Sequence, residues 1–147
     1  LQPRGKSRCE NIVKILLSKY KINIVDHGFL DITFFRDDFR RNKDILLPNK
    51  NDFKLLVENK KVVFIDDVLY TGRTIRAALT AIESFGRPKT IELLILVDRR
   101  FSRELPIQPD YKGVQVDVYE NQKVNVKWND NKHGNYVYIE NMMNGKS

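Results

Sequence analysis

An α/β domain built on a mostly parallel sheet is what this sequence predicts, and three observations carry it. Lys61 opens the near-continuous apolar run Val62-Val63-Phe64-Ile65, the pattern of a strand buried on both faces. Ile75, Ala78, Leu79, Ile82 and Phe85 mark one face of a helix, which Gly86 caps and Pro88 ends. Ile91 to Val97 is a second buried strand, so strand, helix and strand make a βαβ unit, expected to cross over right-handed.

The other elements follow in order. Cys9, Ile12, Val13, Leu16, Leu17 and Tyr20 recur at helical spacing, predicting an amphipathic helix from Ser7 to Tyr20. It is entered from the loop Gln2-Pro3-Arg4-Gly5, for which facing a phosphate is one reading. Leu30 to Phe35 is strand-prone, and the polar stretch from Arg36 to Lys60 reads as a long loop with a weak helical patch from Asp52 to Val57. Val114 to Tyr119, Val124 to Trp128 and Tyr136 to Glu140 alternate as strands, the last two forming a hairpin around a turn from Asn129 to Asn135. No repeat, linker or low-complexity tract divides the chain, which reads as a single domain over residues 1–147.

Composition excludes several classes. The 26 Lys and Arg against 19 Asp and Glu give +7, while 41% hydrophobic and 10% aromatic content excludes a disordered basic tail. A lone cysteine, Cys9, can make neither an internal disulfide nor a multi-cysteine zinc site, which fits a reducing compartment and a cytoplasmic location. The apolar runs are far short of the ~20 residues that span a bilayer, so no membrane association is expected. Positive charge favours polyanionic partners. Its clusters are Arg4, Lys6 and Arg8, then Arg36, Arg40, Arg41 and Lys43, then Arg99, Arg100 and Arg103; any one of them alone is more ordinarily a solvated face.

The chemistry concentrates where the first buried strand meets its helix. Ligands of open α/β sheets sit outside the carboxyl ends of the strands, and here that position carries Asp66-Asp67 followed by Thr71-Gly72-Arg73-Thr74. Free amides and the positive dipole end of a helix start bind a phosphate, Gly72 permits close backbone approach, and the Thr71 and Thr74 hydroxyls add donors. Two carboxylates can accept hydrogen bonds from a pair of ribose hydroxyls. Successive strand residues point to opposite faces, so at least one aspartate is expected where the strand gives way to a turn over Val68 to Gly72. An ordinary N-capping cluster is the competing reading, and the pattern is too particular for it. Neither a Walker A pattern nor a G-x-G-x-x-G after a strand is present, which disfavours P-loop and dinucleotide-binding sites.

At these residues, Val62 to Thr74, the sequence resembles the type I phosphoribosyltransferases, whose signature is an apolar strand, two acidic residues, a short turn and Thr-Gly-x-Thr. The likeness narrows over Asp66 to Ala78, Gly86-Arg87-Pro88, Leu96-Val97-Asp98-Arg99 and Arg103-Glu104-Leu105-Pro106-Ile107. There it is similar to the bifunctional pyrimidine operon attenuation regulators that are also uracil phosphoribosyltransferases. Asp31 to Asp38 and Gln2-Pro3-Arg4-Gly5 extend it, from Gln2 to at least Val118.

The resemblance implies a type I phosphoribosyltransferase fold and conversion of uracil and phosphoribosyl pyrophosphate to UMP and pyrophosphate. It makes Asp66, Asp67 and Arg4 catalytic. Asp66 and Asp67 hold the ribose hydroxyls, and Thr71, Gly72, Arg73 and Thr74 cradle the 5′-phosphate. Pro3, Arg4 and Gly5 hold the pyrophosphate with Mg2+, which comes with the donor; no direct protein ligands to the metal are expected. A flexible loop starting at Arg36, Asp37 and Asp38 closes over the site, and uracil is read mostly by backbone groups beyond the strand end, near Val97, Asp98 and Arg99. The resemblance further implies a homo-oligomer, dimer or higher, whose cationic surface binds a messenger-RNA leader.

Two departures stand out. Members carry a helix and a core strand before the pyrophosphate loop, whereas this chain begins almost inside that loop, so it is expected to be N-terminally truncated. Asp98-Arg99-Arg100-Phe101-Ser102-Arg103 replaces the pattern Asp-Arg-Gly-His-Arg, one residue longer and without its Gly and His. Two alternatives therefore stay open: a nucleotide-sensing RNA-binding regulator with little catalysis, and a phosphoribosyltransferase for another base. The remaining candidates read blandly. His27 and His133 are expected in solvated loops, Cys9 in packing and Trp128 in a core or interface, while Asp37 and Asp38 read either as a metal or acid-base pair or as charge balance beside Arg36 and Arg40.

Overall fold

Two apolar segments on either side of an amphipathic helix meet as neighbouring strands. β1 (Lys61–Leu69) and β2 (Thr90–Arg99) pair in parallel, with Lys61 opposite Thr90 and Leu69 opposite Asp98, and α1 (Arg73–Ile82) is the connection between them. β3 (Tyr111–Val116) adds to the other side of β2 in parallel, so β2 is central in the order β1-β2-β3. β4 (Gln122–Asp130) and β5 (Gly134–Asn141) form a separate antiparallel pair. These are elements of a computed structural model that describes Lys14, Ser18, Lys19 and residues 26–32, 56–119, 121–130 and 134–142.

The main core lies between α1 and the sheet. Ile75, Ala77, Ala78, Ala81 and Ile82 face Phe64, Leu69, Leu93 and Ile95, all buried. The three alanines let the helix settle on a stripe centred on Ala78, which leaves Leu79 at the rim and 38% exposed, a correction to the expected apolar face. Phe85 packs against this core from a 3-10 turn, Glu83–Phe85, that follows α1. Gly86 then takes φ 119°, and a Cβ there would lie 2.9 Å from the Glu58 backbone nitrogen. A second core joins the site end of the sheet to the hairpin through Val97, Val118 and Val124.

Several expected boundaries move. β1 does not end at its two aspartates: Val68 and Leu69 continue the ladder against Val97 and Asp98, and Leu69 is buried, so the turn shrinks to Tyr70–Gly72. β3 begins at Tyr111 and ends at Val116, earlier than expected, because Tyr111 and Lys112 pair with Leu94 and Ile95 while the chain beyond Val116 leaves the ladder. The hairpin forms as expected, with a register irregularity between Lys127 and Asp130. Leu30 and Ile32 are buried in the main core without regular structure, and residues 33–35 of that expected strand lie outside the described residues.

Lys14, Ser18 and Lys19 are helical, as the spacing predicts; the rest of that helix, Cys9 included, lies outside the described residues. Leu56 and Val57 are not helical, and residues 52–55 of the expected patch lie outside the described residues. His27 is exposed, edge-on to Phe29, while His133 lies outside them. Trp128 belongs to β4, and its side chain lies outside the described set. Among the described residues no helix is long and apolar enough to cross a membrane.

Candidate active site

The turn between β1 and α1 opens a cavity of about 200 Å³ at the carboxyl end of the sheet. Asp66, Val68, Leu69 and the run Tyr70 to Ile75 line it. The structure thus brings one of the two aspartates together with Thr71, Gly72, Arg73 and Thr74. Asp66 is part of this lining while only 9% exposed. Asp67, the next residue of the same strand, is not part of the lining; it is half-buried and its carboxylate accepts a hydrogen bond from its neighbour's N–H, Val68, at 3.0 Å. The expectation that one aspartate leaves the strand is overturned. Both stay in β1.

The turn itself is built around Gly72. It is the N-cap of α1 with φ 94°, a left-handed conformation that favours glycine, and a Cβ there would meet Leu105 Cβ and Ile107 Cδ1 at 3.3 Å. The first helical bond runs from Arg76 N–H to the Gly72 carbonyl at 3.0 Å. The N–H groups of Thr74 and Ile75, which precede it in the same first turn, have no helical acceptor by geometry. No acidic side chain stands in the first turn of α1 to offset its positive end. Thr71 Oγ1 accepts from Arg73 N–H at 3.3 Å, and the Arg73 guanidinium donates to Glu104 at 2.7 Å, with both side chains about half exposed. An anion entering this turn would meet amides, hydroxyls and a cation, which is the donor set that a phosphate monoester requires.

Val97, Asp98 and Arg99 do not lie beyond the strand end. β2 continues through Arg99, and all three residues are buried. Val97 belongs to the second core. Asp98 pairs with Arg103 Nη2 at 2.5 Å. The Arg99 guanidinium lies over the Tyr70 ring at 3.9 Å and donates to the Tyr119 carbonyl at 3.3 Å, while its Nε is buried without an acceptor among the described residues. The longer loop that follows turns outward: Arg100 pairs with Asp117 at 2.6 Å and Phe101 is 67% exposed. Tyr70 and Arg103, both central to this geometry, are absent from the expected site residues. Their importance rests on a backbone carbonyl and a stacked ring, neither of which a sequence displays.

Pro3, Arg4, Gly5, Arg36, Asp37 and Asp38 lie outside the described residues. Among the described residues no group of three or more His, Cys, Asp or Glu side chains could hold a metal ion. Asp66 offers a hard carboxylate oxygen of the kind magnesium takes singly or in pairs alongside substrate phosphates.

A model of the phosphoribosyl transferase domain matches residues 8–131, and the chain belongs to that family. Within it, the chain is 44% identical over 130 residues to the "Bifunctional protein PyrR" of a Picosynechococcus species, covering 88% of this chain and 72% of that one. It is likewise 44% identical over 139 residues to the protein of the same name from a Thermoanaerobacter species, covering 95% of this chain and 77% of that one. Among solved structures, a hypoxanthine phosphoribosyltransferase from Staphylococcus aureus aligns with 28% identity and a TM-score of 0.40, over 46% of this chain and 36% of that one.

Proposed function

We propose that this chain is a uracil phosphoribosyltransferase that also regulates pyrimidine biosynthesis genes through RNA. The observation that carries the reading is the meeting of Asp66 with the Thr71 to Thr74 helix start in one cavity, in a chain 44% identical to proteins named bifunctional PyrR. In the reaction, N1 of uracil forms a bond to the anomeric carbon of phosphoribosyl pyrophosphate as the bond to the pyrophosphate oxygen breaks. The carbon passes through an oxocarbenium-like state, and uracil gives up its N1 proton.

The residues would divide the work by charge. The amides and hydroxyls of Thr71 and Thr74, with Gly72 and Arg73, would hold the 5′-phosphate. Asp66 would hold ribose hydroxyls from the cavity lining, and Asp67, which lies outside that lining, would join it on exchanging its bond from Val68 N–H for a ribose hydroxyl; a carboxylate near the cationic carbon would stabilise the charge that develops there. Arg4, between Pro3 and Gly5, would meet the pyrophosphate. Mg2+ would arrive with the donor and would neutralise the departing pyrophosphate, with Asp66 the carboxylate residue of the lining that would meet it. The base would be read by backbone groups near Val97, Asp98 and Arg99, at the carboxyl end of β2.

A second reading, a phosphoribosyltransferase for another base, is favoured by Arg100-Phe101-Ser102, which places an exposed phenyl ring beside the base-side strand. Labelled uracil, orotate and hypoxanthine supplied in competition with phosphoribosyl pyrophosphate and magnesium separate the two. Uracil is expected to be converted to UMP, and Asp67→Asn to lose at least about a hundredfold in turnover. Preference for another base would overturn the uracil assignment, and an unaffected Asp67→Asn would overturn the role of that carboxylate. Regulation through RNA predicts nucleotide-dependent affinity for a leader RNA that falls steeply with salt, measured by filter binding.

A further inference from the structure

One side chain ties the cavity turn to the end of β2. Arg103 Nη2 donates to the Asp98 carboxylate at 2.5 Å, and Nη1 of the same guanidinium donates to the Tyr70 carbonyl at 2.6 Å. Asp98 lies in β2, and Tyr70 directly follows β1, so the fork spans the carboxyl ends of two neighbouring strands. The pair is sheltered, with side chains 18% and 9% exposed for Arg103 and Asp98. The residues after Arg103 continue the grip: Glu104 N–H and Leu105 N–H both donate to the Thr71 carbonyl, at 3.0 and 3.2 Å. Gly72 gives the helix start no side-chain cap, and besides Thr71 Oγ1 the turn is held by the segment that follows β2.

We infer that Arg103 is a positioning residue of the active site. Its guanidinium fixes the Tyr70–Thr71 peptide and so sets the amide cradle that receives the 5′-phosphate, coupling that cradle to the base-side end of β2. The inference rests on the proposed reading of this turn as the phosphate seat. Two acceptors, one in β2 and one in the turn after β1, need two nitrogens at fixed separation, which the planar fork of arginine supplies and the single ammonium of lysine does not. Lysine would keep the charge beside Asp98 and lose the bridge.

The test compares Arg103→Lys and Arg103→Gln with the full wild-type chain. Three quantities are measured: the KM for phosphoribosyl pyrophosphate, kcat, and Tm. Both variants are expected to raise the KM by about tenfold or more with kcat changed less, since small misplacements of a binding group have effects of this size. Arg103→Lys is expected to keep a near wild-type Tm, separating geometry from stability and charge. An unchanged KM in Arg103→Lys would overturn the inference, as would a KM rise matched in size by the kcat loss. Should the wild type convert no base, the uracil reaction fails separately, and ribose 5-phosphate binding by calorimetry decides the inference. About tenfold weaker binding by Arg103→Lys then supports it, whereas equal binding, or no binding by the wild type, overturns it.

Discussion

β2 and β5 are strands of ten and eight residues with opposite relations to water. β2 lies between two strands with α1 against the sheet, and it buries Leu93, Ile95 and Val97 together with Asp98 and Arg99. β5 pairs with β4, and every one of its residues is exposed except half-buried Tyr136. Charge is taken out of water in the first region and left in it in the second. A buried ion costs several kcal/mol unless it is paired, so a sheltered charge must be answered by partners of fixed geometry, as Asp98 is by Arg103. The hairpin has pairs as well, such as Asn125 with Glu140 at 2.9 Å, but they are exposed and hold little in place.

Truncation in the two regions sharpens this contrast most. Ile95→Ala, at a position 1% exposed, is expected to destabilise by about 2–5 kcal/mol in urea unfolding, because the helix and strands around it cannot close the gap. Val124→Ala, at the foot of the hairpin, is expected to cost less, about 1–2 kcal/mol. Equal losses would mean that the two regions are one cooperative core and would erase the distinction. Gly72→Ala comes next. Its left-handed φ and 3.3 Å contacts predict a loss of about 1–3 kcal/mol, accompanied by a larger fall in turnover than either core truncation causes. Turnover preserved in a destabilised Gly72→Ala would show that the turn tolerates displacement.

The smallest effect belongs to the outer edge of the sheet. Tyr111 on β3 donates to Glu92 on β2 at 3.0 Å, and this bond, with the nearby Glu92 charge, raises the tyrosine pKa above its ordinary value. Because the folded pKa is the higher one, the contribution is present at neutral pH and is lost as pH rises through the raised value. Tyr111→Phe is therefore expected to flatten the alkaline end of a stability profile measured by urea unfolding at stepped pH. A decline of unchanged steepness would place its origin elsewhere.

What the sequence made legible is what it encodes locally. Asp66, Asp67 and Thr71 to Thr74 fall within nine consecutive residues, and the strand and helix that carry them have unmistakable periods. The hairpin is legible for the same reason. The extension of β1 to Leu69 was not, because Val68 and Leu69 look like turn residues until Val97 and Asp98 stand beside them. Nor was the division of the two aspartates, with Asp66 in the cavity lining and Asp67 outside it. Arg103 reads as one member of a basic cluster. Its partners are a carboxylate five residues back and a carbonyl thirty-three residues back, and only the folded chain brings them together.

The register of the sheet also sets the order in which these parts can assemble. Asp130 faces Gly134 across the hairpin, whereas Lys61 reaches over the whole of α1 to find Thr90. Closing the short loop costs little chain entropy, and closing the long one must precede any reward from parallel pairing. The hairpin can therefore zip early and alone, while the cavity at the end of β1 exists only after the late, non-local step. An incompletely folded chain would carry its exposed ribbon and still lack any place for a phosphate.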